Sequence, residues 1–184
     1  RGCDVDLAVL EPTDKSYKTD QFSFKIYTLP RIARPLGYFY FLKAVQVRKM
    51  INSLDASYDL VISNLYMSDK VARYLDLPNT FHCIHNSIMQ SIKLQNNYSF
   101  SRSLIKRYVI YKFFAKFVYN NANIITVSHG VQTDFLKMGF KPRSIRTIYN
   151  PLDLEKIRSL SDEYDVDLGN YILHIGRFDR QKRH

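Results

Sequence analysis

The chain has 184 residues, 46% of them apolar, and a formal net charge of +10. That length can carry one good domain, and that apolar share excludes a disordered chain. No apolar run approaches the roughly 20 residues that a helix needs to cross a bilayer, and no signal peptide is visible.

In chain order, Val5–Leu10 is a short apolar run and reads as a buried strand, followed by the polar, turn-like Glu11–Thr19. Phe22–Leu29 alternates apolar and polar residues and reads as a second strand, stopped by Pro30. Arg31–Pro35 is a basic loop. From Gly37 to Leu54, Tyr40, Ala44, Val47, Ile51 and Leu54 recur at helical spacing and predict an amphipathic helix. Asp59–Ser63 is the next strand, Met67–Leu75 a short helix, and Thr80–Ile84 a strand that runs into His85 and Asn86. Ile88–Ser99 is polar and reads as a loop or lid. Ser103–Asn120 predicts a long helix with Lys106, Lys112 and Lys116 on one arc and Ile110, Phe114, Phe117 and Val118 on the other. Asn123–Val127 is a strand, Val131–Met138 a short helix closed by Gly139, and Ser144–Tyr149 a final strand.

Strands alternating with helices predict an α/β fold, a Rossmann-like parallel sheet flanked by helices. On this reading Val5–Leu10, Asp59–Ser63, Thr80–Ile84 and Asn123–Val127 belong to one sheet. Ligands of such sheets bind beyond the carboxyl ends of the strands. That rule selects His85 as a cleft residue, while His82, inside its strand, reads as packed. Ser128 follows the strand NIITV, and its plain reading is the N-cap of the next helix. Tyr149–Asp153 reads as a turn that starts a helix, with Pro151 and Asp153 suited to its positive end.

The last residues carry the most specific signal. Tyr171–Ile175 has the composition of a buried strand; it ends in Gly176-Arg177, and Lys182 follows five residues after the arginine. Glycine lets a ligand approach the backbone, arginine binds a phosphate with two hydrogen bonds, and lysine adds a point charge. A strand ending in G-R, then Q-K, with an N-P-x-D turn upstream (Asn150–Asp153), resembles the family 4 glycosyltransferases. These are retaining enzymes of GT-B architecture, in which two Rossmann-like domains face each other across a cleft. The resemblance implies that residues 1–153 form most of the acceptor-side, N-terminal domain without its first strand. Residues 154–169 would be the interdomain linker, with a helical turn inside it, and 170–184 the start of the donor-binding domain. It further implies that Arg177 and Lys182 hold the donor diphosphate, that His85 faces the transferred sugar as the catalytic-site residue, and that Gly176, Asn150 and Ser128 line the cleft. It implies no metal and no other cofactor. A chain that begins at Arg-Gly-Cys and ends beside Lys182 reads as an internal fragment, and by itself is expected to transfer no sugar.

Charge adds a second expectation. No Asp or Glu occurs between Asp20 and Asp55, nor between Asp76 and Asp134. Such a field favours an anionic partner. The reading that follows is a nucleotide-sugar donor, a glycan or lipid-linked acceptor, and an anionic membrane surface met by Arg34, Lys43, Lys106, Lys112 and Lys116. Cys3 and Cys83 have neither CxxC spacing nor a His/Cys partner set, which fits reduced thiols in a cytoplasmic protein, peripheral on the inner face of its membrane. The process served would be surface polysaccharide or lipopolysaccharide synthesis. Two rivals are weaker. A dinucleotide-binding oxidoreductase domain should show G-x-G-x-x-G after a strand, and none is present. A nucleic-acid-binding module should show an RRM, KH or helix-turn-helix signature, and none is visible, so no nucleic-acid partner is expected.

Overall fold

The structure is a computed structural model, and it describes residues 3–11, 24–32, 38–88, 102–163, 169–170 and 172. Its elements are β1 (Asp6–Val9), β2 (Lys25–Thr28), α1 (Phe39–Ser53), β3 (Val61–Asn64), α2 (Tyr66–Leu75), β4 (Thr80–Ile84), α3 (Arg102–Tyr119), β5 (Asn123–Thr126), α4 (His129–Lys137), β6 (Ser144–Thr147) and α5 (Leu154–Ser161). Every strand pair is parallel, in the orders β1-β2 and β3-β4-β5-β6. Parallel neighbours need a crossover between them, and α2, α3 and α4 supply those of the larger sheet. The fold is thus α/β, with Rossmann-like parallel sheets flanked by helices.

The expectation of one sheet needs correction. β1 hydrogen-bonds to β2 and belongs to a separate two-stranded sheet. An apolar run reveals a strand but not its neighbour. A link between the two units is the Tyr58 hydroxyl, which donates to Asp6 Oδ2 at 2.8 Å. Burial with that bond pushes the phenol up to about 12.

The core lies on the helix-covered face of the larger sheet. Along β5 the side chains alternate, and Ile124 and Thr126 are fully buried. They meet Ile84 from β4, Ala115, Val118 and Tyr119 from α3, and Phe135, Met138 and Phe140 around α4. A second cluster joins Ala44 and Val47 of α1 to Val71 and Leu75 of α2 and to Leu29 after β2. Helix ends follow their caps: Ser128 Oγ accepts from the Val131 amide at 3.2 Å, and Gly139 ends α4 at φ +76. Asp153 caps α5 by accepting from the Lys156 amide at 3.0 Å, which puts Pro151 just before the helix rather than inside it. α5 is two turns long where a single turn was expected, and none of its residues is buried.

Two further expectations fail on burial. Lys43 is buried, not on a membrane-facing surface. Its ammonium donates to the Pro30 carbonyl at 2.7 Å, and burial lowers its pKa. It sits one residue from Ala44, on the packed stripe of α1, where its stem fills core volume. In α3 the packed stripe is Ala115, Val118 and Tyr119, all buried, with the half-buried Tyr111 and Tyr108 one and two turns back. Ile110, Phe114 and Phe117, expected inside, are exposed. Lys112 is half-buried and Lys116 exposed. Arg34, the side chain of Lys106, and residues 89–99 of the predicted loop or lid lie outside the described residues, as does most of the predicted strand Tyr171–Ile175.

Candidate functional site

All strands of the larger sheet point the same way, so their carboxyl ends form one edge. There stand Asn64 at the end of β3, His85 and Asn86 after β4, Ser128 after β5, and Tyr149 and Asn150 after β6. Three of the sequence-predicted site residues, His85, Ser128 and Asn150, are therefore brought to a common edge. Gly176, Arg177 and Lys182 lie outside the described residues.

His85 is half-buried, and its Nε2 lies 3.0 Å from Asn64 Oδ1. An amide oxygen only accepts, so this contact puts the proton on Nε2 and leaves Nδ1 as an acceptor. Asn64 is followed by Leu65, whose φ of +73 and ψ of 149 lie in a region that favours glycine. A leucine held there costs about 1 to 3 kcal/mol. The strained residue is where the chain leaves β3 and enters α2, directly after the side chain that holds His85. Neither Asn64 nor Leu65 was singled out from sequence. Asn64 directly follows the predicted strand, so the rule that selected His85 would have found it.

Around β5 and β6 a polar chain crosses the same edge. Thr126 Oγ1 and Thr147 Oγ1 are 3.0 Å apart, Thr147 donates to Gln132 Oε1 at 3.0 Å, and His129 Nδ1 is 3.2 Å from the same oxygen. The His129 ring stacks edge-on against Tyr149, with centroids 5.9 Å apart. Gln132 thereby fixes the start of α4 against β6 and orients His129. Ser128 spends its oxygen on the helix cap, which bears out the plain reading of that residue. Asn150 is exposed.

His82 presents a different chemistry. It is buried, as expected, and its Nδ1 lies 2.8 Å from Ser63 Oγ and 3.3 Å from Asp69 Oδ1. The Ser63 hydroxyl donates to Asp69 Oδ1 at 2.6 Å, and the Tyr119 hydroxyl donates to Asp69 Oδ2 at 2.8 Å. Serine, histidine and aspartate together suggest a nucleophilic triad, but the polarity is wrong. A nucleophilic serine gives its proton to the imidazole. Here that proton goes to the carboxylate, and the imidazole Nδ1 becomes the donor. The cluster is a structural anchor that ties β3, β4, α2 and α3 together. Burial, with Asp69 beside it, raises the Tyr119 pKa far above the phenol range and keeps the group a donor. Burial likewise raises Tyr66 and Tyr111, and it raises the Cys83 thiol, which is thereby made less reactive.

A cavity of about 300 Å³ opens at the opposite, amino-terminal edge, lined by Arg73, Asp76, Asn79, His82, Asn121 and Arg143 among others. It contains none of the carboxyl-edge residues. Among the described residues no group of three His, Cys, Asp or Glu could hold a metal ion.

Residues 1–156 match the family described as Glycosyltransferase Family 4. The chain belongs to that family. The match runs from before β1 into α5 and so includes the whole carboxyl edge. No curated protein and no solved structure matches the chain. As a family 4 glycosyltransferase domain it serves the transfer of a sugar from a donor to an acceptor.

Proposed function

We propose that this family 4 chain is the acceptor-side part of a retaining glycosyltransferase of GT-B architecture. The donor is a nucleotide sugar, and the acceptor a growing glycan or lipid-linked saccharide of surface polysaccharide or lipopolysaccharide synthesis. Residues 1–153 form the acceptor-side domain, 154–169 the linker, and 170–184 the start of the donor-binding domain. The observation that supports this best is His85, delivered by β4 to the carboxyl edge and held there by Asn64. A half-buried imidazole with its Nδ1 left as an acceptor suits hydrogen bonding to a sugar hydroxyl at the reacting centre. Ser128 and Asn150 flank it from β5 and β6.

On the donor side, negative charge grows on the leaving diphosphate in the transition state. Fixed cations placed there stabilise it more than they stabilise the ground state. Arg177 and Lys182 take this role, and Gly176 lets the diphosphate approach the backbone. The test is donor hydrolysis, read as UDP, GDP or ADP released from the corresponding sugar nucleotides by active protein. Arg177→Ala and Lys182→Ala should each cost about 3 to 4 kcal/mol of transition-state stabilisation with the fold intact. Unchanged release in both variants would remove these residues from the reaction.

A further inference from the structure

The exposed face of the α1, α2 and α3 helices is apolar to a degree that folding alone does not explain. Phe41 of α1 meets Tyr74 of α2 at a centroid distance of 6.1 Å, and Tyr74 meets Phe117 of α3 at 5.5 Å. One turn back along α3 stands Phe113, 5.7 Å from Phe114. All five rings are exposed, Phe113 most of all at 73%. They form a continuous aromatic strip across three helices, extended along α3 by Val109 and Ile110. Contiguous exposed apolar surface of this kind marks an interaction site.

The charge around the strip has one sign. Among the described side chains of the three helices, Arg48, Lys49 and Lys116 are exposed and Lys70, Arg73 and Lys112 half-buried, while Lys43 is buried; the one acid is Asp69. Asp69 is 1% exposed and already accepts from Ser63 and Tyr119, so no carboxylate of these helices faces outward. Arg73 donates to the Phe117 carbonyl at 3.1 Å, with its guanidinium 5.5 Å from the Phe117 ring. Lys116, directly before Phe117, is exposed. A nucleic acid would use such rings only by splaying out unpaired bases to stack on them. A cationic face carrying bare phenyl rings matches anionic headgroups above acyl chains. No described helix is long and apolar enough to cross a membrane, so the geometry is that of a face lying on the surface.

We infer that this face docks on an anionic lipid bilayer, with Phe113, Phe114 and Phe117 entering the headgroup boundary and Lys116 and Arg73 meeting lipid phosphates. α3 links two parallel strands and so runs from the carboxyl edge of the sheet to the amino edge. The strip is centred on the last turns of α2 and α3, at Arg73, Tyr74 and Phe117, so the bilayer is met toward the amino edge, away from His85. The docking does not rest on the proposed transfer reaction.

The test is co-sedimentation of the chain with vesicles of phosphatidylglycerol and phosphatidylcholine, against phosphatidylcholine alone, with no donor or acceptor present. Binding should need phosphatidylglycerol and fall as salt rises. Lys116→Ala should lower the partition coefficient about fivefold, since attraction is worth about 1 kcal/mol per basic residue. Phe113→Ser should lower it about tenfold, within the range for burying one such side chain. Both residues are exposed, so both variants should keep the parent melting temperature. Equal binding to neutral vesicles, or unchanged partitioning in both variants, overturns the inference. A chain that ignores vesicles and self-associates through Phe113 assigns the face to a second copy and overturns it too. So does salt-sensitive RNA binding without vesicle binding, whether or not Phe113→Ser weakens it. Loss of donor hydrolysis with vesicle binding retained would count against the transfer reaction alone.

Discussion

His82 and His85 stand three residues apart on one stretch of chain and have opposite fates. His82 faces the helices from inside β4 and is locked to Ser63 and Asp69. His85 lies past the last ladder pair of that strand, half-buried, with its Nε2 held by Asn64. Strand alternation decides the first, because residues two apart share a face and Ile84, next along that face, is buried too. Strand termination decides the second, because side chains beyond the last pair leave the packed layer. The same residue type is thus scaffold in one place and open to chemistry in the other.

The largest effect should come from the anchor. Asp69→Ala removes the acceptor shared by Ser63, Tyr119 and His82 and leaves buried donors unpaired. The cost should be about 4 kcal/mol, a loss of several buried hydrogen bonds. Equilibrium urea unfolding measures it, and a cost under about 1 kcal/mol would mean that the network does not hold the helices to the sheet. His82→Ala should be next, at about 2 to 3 kcal/mol, from a cavity and an orphaned hydroxyl. Its donor hydrolysis per folded molecule should stay at the parent value. A specific loss of activity would erase the contrast with His85.

Alkaline unfolding sharpens the comparison further. Tyr66, Tyr111 and Tyr119 have pKa values raised by burial above the unfolded tyrosine value of about 10. Between the unfolded and folded values the native state binds more protons than the unfolded state. Stability is therefore intact below about pH 10 and falls as pH rises through that value, by about 1.4 kcal/mol per pH unit for each such group. Tyr119→Phe should cost about 1 to 2 kcal/mol near neutrality and remove one group's share of the alkaline slope. An unchanged slope would show that Tyr119 is not held as a neutral donor. Asn64→Ala should be the smallest perturbation of stability, within about 0.5 kcal/mol, because its side chain is exposed. Its effect should appear instead in the rate of donor hydrolysis, through a His85 no longer held at Nε2.

Much of this was legible in the sequence, and what was not has physical causes. Short apolar runs located β1, β3, β4, β5 and β6, as the near-continuous apolar sequence of parallel strands allows, but β1, expected to be buried, has Asp6, Leu7 and Ala8 exposed. Pairing was not legible: β1 joined β2 and stayed outside the larger sheet. The α3 helix was placed correctly but turned wrongly. Its sequence offers apolar residues all round, and tertiary contacts, led by the Tyr119 bond to Asp69, decide which stripe goes in. Lys43 looked like surface charge because its ammonium finds a carbonyl that no local pattern announces. The anchor itself was invisible, since Ser63, Asp69, His82 and Tyr119 come from four elements and meet only on folding. The places of His85 and Ser128 at the carboxyl edge were legible because they follow from strand and helix ends, which sequence marks well.

The most direct test of the central claim is donor hydrolysis by His85→Ala, measured beside its urea unfolding in the active protein. With His85 at the reacting edge and outside the core, release of nucleoside diphosphate should fall by about a hundredfold, in the range for a positioned acid–base or hydrogen-bonding group. Unfolding stability should change by less than about 0.5 kcal/mol. Parent-level hydrolysis with intact stability would contradict the placement of the reaction at this edge.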